Sequence, residues 1–368
     1  MTTFAEEDSA AIGLLASRWK GFHWEQLQQL LDPALSLAQI FSNDALRASA
    51  GAFRQHLLQR PELVRQAQQE IAAMQREWEV STLPFGDPRY PLALRQSPCP
   101  PLVLFALGAT QQLAEETRPV VAIVGSRRAD IEACEFAEQL AFELTMAGVL
   151  VISGLALGID GAAHRGAVRA APPALSTLAV LGSGLKHIYP TSHRQLARRI
   201  LDSGGVLLSQ FEPGQQPYPA NFLIRNRVIA GLSQLVVVTL AAERSGALAT
   251  ARYATQIGRD VGAVPGPARD ARYQGCHELL RQGAALIRGA GDVVELLPPL
   301  TALTSREASA GSLSAASAHP LLAILKEAGP QHISYLQSKL GASADCELLM
   351  LELAGKIKRL PGNQVGLV

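Results

Sequence analysis

The sequence is poor in the features that commit a protein to redox, metal or membrane work. It has four cysteines, Cys99, Cys134, Cys276 and Cys346, and no two stand at metal-binding or disulfide-exchange spacing. Reduced thiols in a cytoplasmic protein without a metal are therefore expected. No apolar run approaches the ~20 residues of a membrane span. The opening MTTFAEEDSA is acidic and has no signal-peptide core, so no membrane partner is expected. Charged residues make up only 18% of the chain against 48% hydrophobic, enough for a large buried centre. Lysine is scarce, since 27 of the 33 basic residues are arginine, whose planar fork matches phosphate oxygens. The bland account of that excess is a GC-rich genome.

Charge is unevenly placed. Residues 1–117 hold 9 basic and 13 acidic residues, 118–290 hold 18 and 12, and 291–368 hold 6 and 7. Only the middle of the chain is basic. At 368 residues the chain should divide into two or three domains. Residues 1–82 read as a small, acidic helical (SAM-like) domain, with short amphipathic segments up to about Trp78. Residues 83–118, dense in proline, read as an extended connection with an edge strand at Val103–Phe105. Residues 119–298 alternate strand and helix, with strands near 120–124, 149–152, 176–181, 206–209, 234–240, 261–264 and 285–287. That pattern predicts an α/β, extended Rossmann-like, doubly wound parallel sheet. Residues 299–319, rich in Ala and Ser, read as a linker. Residues 320–368 suggest three helices and a hairpin, a C-terminal winged-helix domain. Its third helix carries Asp345, Glu347 and Glu352 and no base before Lys356, the wrong sign for a polyanion.

Two turns in the middle of the chain invite an anion. Gly125-Ser126-Arg127 follows the first core strand and Ser153-Gly154 the second, and each leads into a helix. Open α/β sheets place ligands at these strand ends, where the first N–H groups of the helix favour negative charge. The strict dinucleotide fingerprint is missing, because Gly125-Ser126-Arg127-Arg128-Ala129-Asp130 keeps only its first glycine, so no nicotinamide or flavin cofactor is expected. Further along, Phe222 could stack on a base beside Arg225, Asn226 and Arg227, and Ser245-Gly246 opens a helix with Thr250 one turn in. If Arg225 and Arg227 lie on a helix, they diverge.

Gly125-Ser126-Arg127, Ser153-Gly154-Leu155-Ala156 with Gly158-Ile159-Asp160 and Ala163-His164, Tyr189-Pro190, Arg225-Asn226-Arg227, Ser245-Gly246 and Pro265-Gly266 stand in one order and spacing. In this the sequence resembles the DprA/Smf family, the DNA-processing proteins of natural transformation, densely over about residues 85–295. The resemblance implies a cytoplasmic homodimer that binds single-stranded DNA without catalysis and without strong sequence preference. It also implies protection of incoming strands, loading of the RecA recombinase during recombination, and single-strand-binding protein as a further partner. Carried over by position, the DNA site involves Ser126, Arg127, Gly154, Arg225, Asn226 and Ser245-Gly246, with Lys186 and Arg194 as nearby basic candidates. Together with Gly125, Phe222, Arg227 and Thr250 these make the expected DNA-binding set. Three positions depart from the family pattern: Gln210, Leu240 and His277.

Blander readings compete. Asp160 and His164 lie four apart at a helix start and could form an acid/base pair. With no adjacent nucleophile, a capping Asp160 and a buried His164 are favoured, and no catalytic residue is assigned. Arg127 could tether a turn instead of a phosphate. Gly182-Ser183-Gly184 could be tight geometry alone, and Glu243-Arg244 reads as a solvated loop. The rival function is an enzyme of the nucleoside-monophosphate phosphoribohydrolase type. Such proteins carry a Pro-Gly-Gly-x-Gly-Thr loop and a glutamate, where this chain has Pro265-Gly266-Pro267. A nucleotide sensor is the third reading.

Overall fold

The computed structural model describes residues 4–19, 31–32, 34–43, 46, 48–172 and 175–297, with 325, 331–332, 357–360 and 364–367 near the C-terminus. Uninterrupted β-branched and aliphatic runs become strands covered on both faces. β3 (Val120–Val124), β4 (Leu150–Ser153), β5 (Thr177–Val180), β6 (Val206–Ser209), β7 (Leu235–Val238), β8 (Asp260–Ala263) and β9 (Ala285–Leu286) pair in parallel. All seven were legible in the sequence.

The order β6-β5-β4-β3-β7-β8-β9 fixes where a ligand can sit. From β3 the chain winds outward to β6, then returns through the Pro219–Leu232 helix to start β7 on the other side of β3. Connections leave in opposite directions at β3 and β7, so a crevice opens beyond their carboxyl ends. Period-two alternation splits the core between the two faces. Val121 and Ile123 meet the Ile131–Met146 and Ile159–Ala170 helices, while Ala122 and Val124 face the Pro219–Leu232 and Ala247–Gln256 helices.

The proline-rich stretch does more than connect. β1 (Ser81–Pro84), which the sequence did not reveal, pairs antiparallel with β2 (Val103–Gly108), and β2 pairs antiparallel with β6, widening the sheet to nine strands. Proline is tolerated here because Pro84 ends an edge strand, where a missing N–H costs no ladder bond. The helices Ser9–Arg18, Leu37–Ser42, Ala48–Gln59 and Pro61–Trp78 share one core with these strands, in which Ile12, Phe41 and Phe53 are buried together with Leu83, Phe85 and Phe105. Residues Met1–Thr304 thus form one compact unit.

Ser305–Val368 form the second unit. Its expected hairpin is present as β11 (Ile357–Leu360) against β12 (Gln364–Leu367), and β10 (Gln331–His332) adds a third antiparallel strand on β12. Of the three helices expected around it only Leu325, helical and buried, is among the described residues, and the segment near Trp24 and the Ala/Ser-rich linker lie outside them.

Candidate functional site

At the β3/β7 switch point lies an open cavity of about 730 Å³. Nine of the thirteen expected residues line it: Gly125, Ser126, Arg127, Phe222, Arg225, Asn226, Ser245, Gly246 and Thr250. Loops far apart in sequence thus converge at one sheet edge. Arg128 and Arg244 also line the wall, Arg244 from the exposed Glu243-Arg244 turn expected as a solvated loop. The cavity has four arginines against one carboxyl, that of Asp160. Arg127, Arg128 and Arg244 are exposed, whereas Arg225 is 3% exposed.

Arg225 lines the cavity and is also tied into the fold. Its Nη1 donates to the carbonyls of Gly154, at 2.5 Å, and of Val180, so one guanidinium ties together the ends of β4 and β5. Its Nε donates to Asn226 Oδ1 at 3.2 Å, and Asn226 Nδ2 donates to the Gly246 carbonyl at 3.3 Å. Burial lowers Arg225 to about 10, opposed by the nearby Asp160 carboxylate, which leaves it charged at neutral pH. Arg225 is the tether that the sequence reading had weighed for Arg127.

Gly154 follows from Arg225. A Cβ there would fall 2.1 Å from Arg225 Nη1, so only glycine leaves room for the guanidinium. Its N–H is occupied as well, donating to Asp160 Oδ2 at 3.2 Å. Gly154 does not line the cavity.

Two of the helix N-termini are not bare either. Asp130 caps the Ile131–Met146 helix, accepting from Ala133 N at 2.9 Å, and pairs with Arg272 at 2.5 Å. The amide of Ser126 donates to the Leu240 carbonyl at 2.8 Å, and its Oγ accepts from Arg128 N at 3.1 Å. The Asp130 carboxylate thus complements the dipole end of the Ile131–Met146 helix, and the Ser245 hydroxyl accepts from Ala247 N at 3.3 Å at the start of the Ala247–Gln256 helix, whereas the Ile159–Ala170 helix has no side-chain cap. The exposed charged groups on the wall are the side chains of Arg127, Arg128 and Arg244.

Phe222 packs over the Gly182 turn, where a Cβ would meet its ring at 2.7 Å. Arg127 Cζ lies 4.8 Å from the ring centroid, and the Tyr189 ring lies 5.4 Å away, tilted by 53°. Phe222 thus supports Arg127 through a cation–π contact and carries Tyr189 beside it. In the same turn Ser183 Oγ donates to the His187 carbonyl at 2.6 Å, and Ser183 is buried, so Gly182-Ser183-Gly184 is tight geometry. Thr250 is buried on the floor.

Three more expected residues, besides Gly154, stand off the wall. Lys186 Nζ sits over the Trp78 ring, 3.2 Å from its centroid, at the contact with the N-terminal helices. Arg227, one turn-face away from Arg225, stacks over Tyr253 at 5.7 Å, the divergence expected of neighbours two apart on a helix. Arg194 is exposed at the start of the Arg194–Asp202 helix and does not line the cavity. The three family departures also stay off the wall. Leu240 is buried, and His277 Nε2 sits 3.1 Å from the Gly266 carbonyl.

Asp160 and His164 do not pair. Thr177 Oγ1 donates to the Val151 carbonyl at 2.6 Å, so His164 Nδ1, 3.0 Å away, is the donor to that hydroxyl. Burial first, then the charges of His193 and Arg225, push His164 down to about 3. An unfolded chain takes up this proton near pH 6.5, whereas the folded one does so only near 3. The stability tied to the neutral ring is therefore complete above 6.5 and lost as pH falls toward 3, with a limiting slope of ~1.4 kcal/mol per pH unit. Asp160 acts in the opposite sense, because burial raises its carboxyl against the pull of Arg225. Urea unfolding of wild type and His164→Gln between pH 7.5 and ~4 should show a shallower acid loss in the variant. Equal slopes would exclude His164 as the acid-sensitive group.

A nine-stranded, largely parallel sheet with an arginine-lined crevice at its switch point defines a Rossmann-like α/β protein with a basic ligand groove. The family model described as DNA recombination-mediator protein A matches residues 81–298, and the chain belongs to that family. The putative DNA processing protein DprA of Mycobacterium tuberculosis is 40% identical over 253 residues, which are 68% of this chain and 62% of that protein. The chain thus spans under two thirds of that relative's length. Among solved structures, DNA processing protein A from Streptococcus pneumoniae superposes with a TM-score of 0.61 at 30% identity, covering 80% of this chain and 98% of that one. DNA processing protein A from Helicobacter pylori, whose structure describes a single-stranded DNA binding mode, gives a TM-score of 0.52 at 30% identity, covering 62% and 97%. Among the described residues no helix is long and apolar enough to cross a membrane.

Proposed function

We propose that this chain binds single-stranded DNA in the switch-point groove, without sequence preference and without catalysis, and passes the strand to the RecA recombinase during transformation and recombination. In this reading it works as a cytoplasmic homodimer. The observation that carries it is the convergence of exposed Arg127, Arg128 and Arg244 on one wall of an open groove of about 730 Å³. Several separated cations suit a chain of phosphates better than one small anion. Membership of the DNA recombination-mediator family and the single-stranded DNA binding mode of the Helicobacter pylori protein support the same reading.

The hydrolase alternative is not favoured. The one carboxyl on the groove wall, Asp160, is 5% exposed and already bonded to the Gly154 amide. A general base has to reach its substrate's proton.

Titration of fluorescent oligo(dT) and of AMP at two salt concentrations tests the proposal. Oligo(dT) should bind with an affinity that falls steeply as salt rises, log K dropping by about 0.7 per phosphate contacted for each decade of salt. AMP should compete only at far higher concentration. Tight AMP binding with a flat salt response, or release of free base from AMP, would defeat it.

A further inference from the structure

The N-terminal helices reach the groove by a route that the sheet does not provide. Arg18, the last residue of the Ser9–Arg18 helix, grips Glu212 with both sides of its fork, Nε donating to Oε1 and Nη2 to Oε2, each at 2.8 Å. Its Nη2 also donates to Glu70 Oε2 at 2.7 Å, so one guanidinium joins two helices of the N-terminal module to the loop after β6. A second cation crosses the same boundary in the other direction: Lys186 Nζ lies over the ring of Trp78, at the end of the Pro61–Trp78 helix.

The two loops that receive these contacts are tied to each other. Gly184 N donates to the Gln215 carbonyl at 2.9 Å and Lys186 N to the Pro213 carbonyl at 3.0 Å, while Gln215 N closes a turn on the Glu212 carbonyl at 2.8 Å. Glycine at 184 allows the approach, since a Cβ there would collide with that Glu212 oxygen. Each loop then runs into the groove wall, one at Tyr189 and the other at Pro217.

We propose that Arg18 is a positioning residue for the groove: by clamping Glu212 it holds loops 182–189 and 211–217 in the course that brings Tyr189 and Pro217 to the wall. The inference rests on the single-stranded DNA reading above for what the groove binds, and it gives the N-terminal module a part in shaping the site. A lone exposed ion pair contributes little, and the exceptions are bidentate arginine–carboxylate pairs and networks of charges. Arg18 meets both conditions, with two carboxylates on one planar fork. Residues 210–218 belong to no strand or helix, so that loop has no ladder of its own to hold it. The module stays docked without the clamp, because Ile12, Phe41 and Phe53 share a core with Leu83 and Phe105 of the sheet. Loss of Arg18 therefore frees the loops without parting the module from the sheet. A loop already held in its bound course gives up less freedom when a strand settles against it.

Amide hydrogen exchange of the ligand-free protein, and binding of oligo(dT) at two salt concentrations, would be compared for wild type, Arg18→Ala, Glu212→Ala and the double variant. Exchange should quicken by about tenfold over 182–189 and 211–217 in each variant, as expected of a local opening, and stay as in wild type over the strands. Oligo(dT) affinity should fall by about fivefold, the scale of ordering one or two side chains at an interface. The salt slope should change by less than one phosphate contact, about 0.7. The double variant should lose no more than either single one, because the two residues act as one clamp. Unchanged exchange in the two loops would overturn the clamp, as would faster exchange spread across the sheet or losses that add in the double variant. A slope flattened by a full contact would mean that Arg18 itself holds a phosphate, and faster loops with unchanged oligo(dT) affinity would mean that the groove does not depend on them; either defeats the positioning role. Should the wild-type chain fail to bind oligo(dT), the single-stranded DNA reading falls, and the exchange comparison still decides whether Arg18 holds the loops.

Discussion

Arg225→Ala should unfold the groove rather than merely weaken it, lowering the unfolding free energy by roughly 3–5 kcal/mol, the range for one partner lost from a buried charge network. The substitution orphans the Gly154 and Val180 carbonyls, both buried acceptors at strand ends. It also leaves the Asp160 carboxyl, 5% exposed, without its principal neighbouring cation. Arg225→Lys should recover little, because a single ammonium cannot reach two carbonyls and the Asn226 side chain with the geometry of a planar fork. Gly154→Ala should imitate the defect, since its methyl would occupy the guanidinium's place 2.1 Å from Nη1. The double variant should then cost less than the sum of the two, as expected for residues in contact. Urea midpoints report all four proteins. A normal midpoint for Arg225→Ala with lost DNA binding would show that Arg225 contacts the ligand directly.

The complementary result is expected on the exposed wall. Replacing Arg127, Arg128 and Arg244 together by alanine should leave the urea midpoint within about 0.5 kcal/mol per site of wild type, because exposed substitutions away from caps and networks rarely do more. Arg127 does lose its contact with Phe222, at 4.8 Å, a small term at an exposed site. Binding of oligo(dT), by contrast, should fall by two orders of magnitude or more at low salt, and the slope of log K against log salt should flatten by about 2, three contacts at ~0.7 each. The loss should be alike for oligonucleotides of different sequence, since phosphates carry no sequence information. A triple variant whose slope matches wild type would place the strand elsewhere, and a sequence-dependent loss would mean that these arginines read bases. The two results together separate a residue that builds the groove from residues that hold the ligand, although all of them are arginines in or beside the same motifs.

What the sequence alone determined is the sheet and its ligand edge. Buried strands need continuous apolar runs, and Val120–Val124 or Leu235–Val238 can satisfy their backbones in few other ways once helical segments alternate with them. The turns after those runs must lie at strand ends, which is why the sequence places Arg127 and Ser245-Gly246 on one rim. β1 was hidden because Ser81–Pro84 is short, polar at its start and ends in proline, and only its pairing with β2 makes it a strand.

Only the tertiary structure decided which arginine does what. Burial is a property of packing between distant segments: Arg225 is tied down because the Pro219–Leu232 helix crosses the ends of β4 and β5, 71 and 45 residues away along the chain. For the same reason Asp130 and Asp160, three and six residues past the anion-inviting turns, occupy N–H groups that look free in the sequence. Lys186 was drawn to Trp78, and Tyr189 and Arg244 were brought to the groove, by loops whose courses no local pattern encodes. Local propensity fixes elements, but the partner of a long polar side chain depends on what the fold sets within its reach.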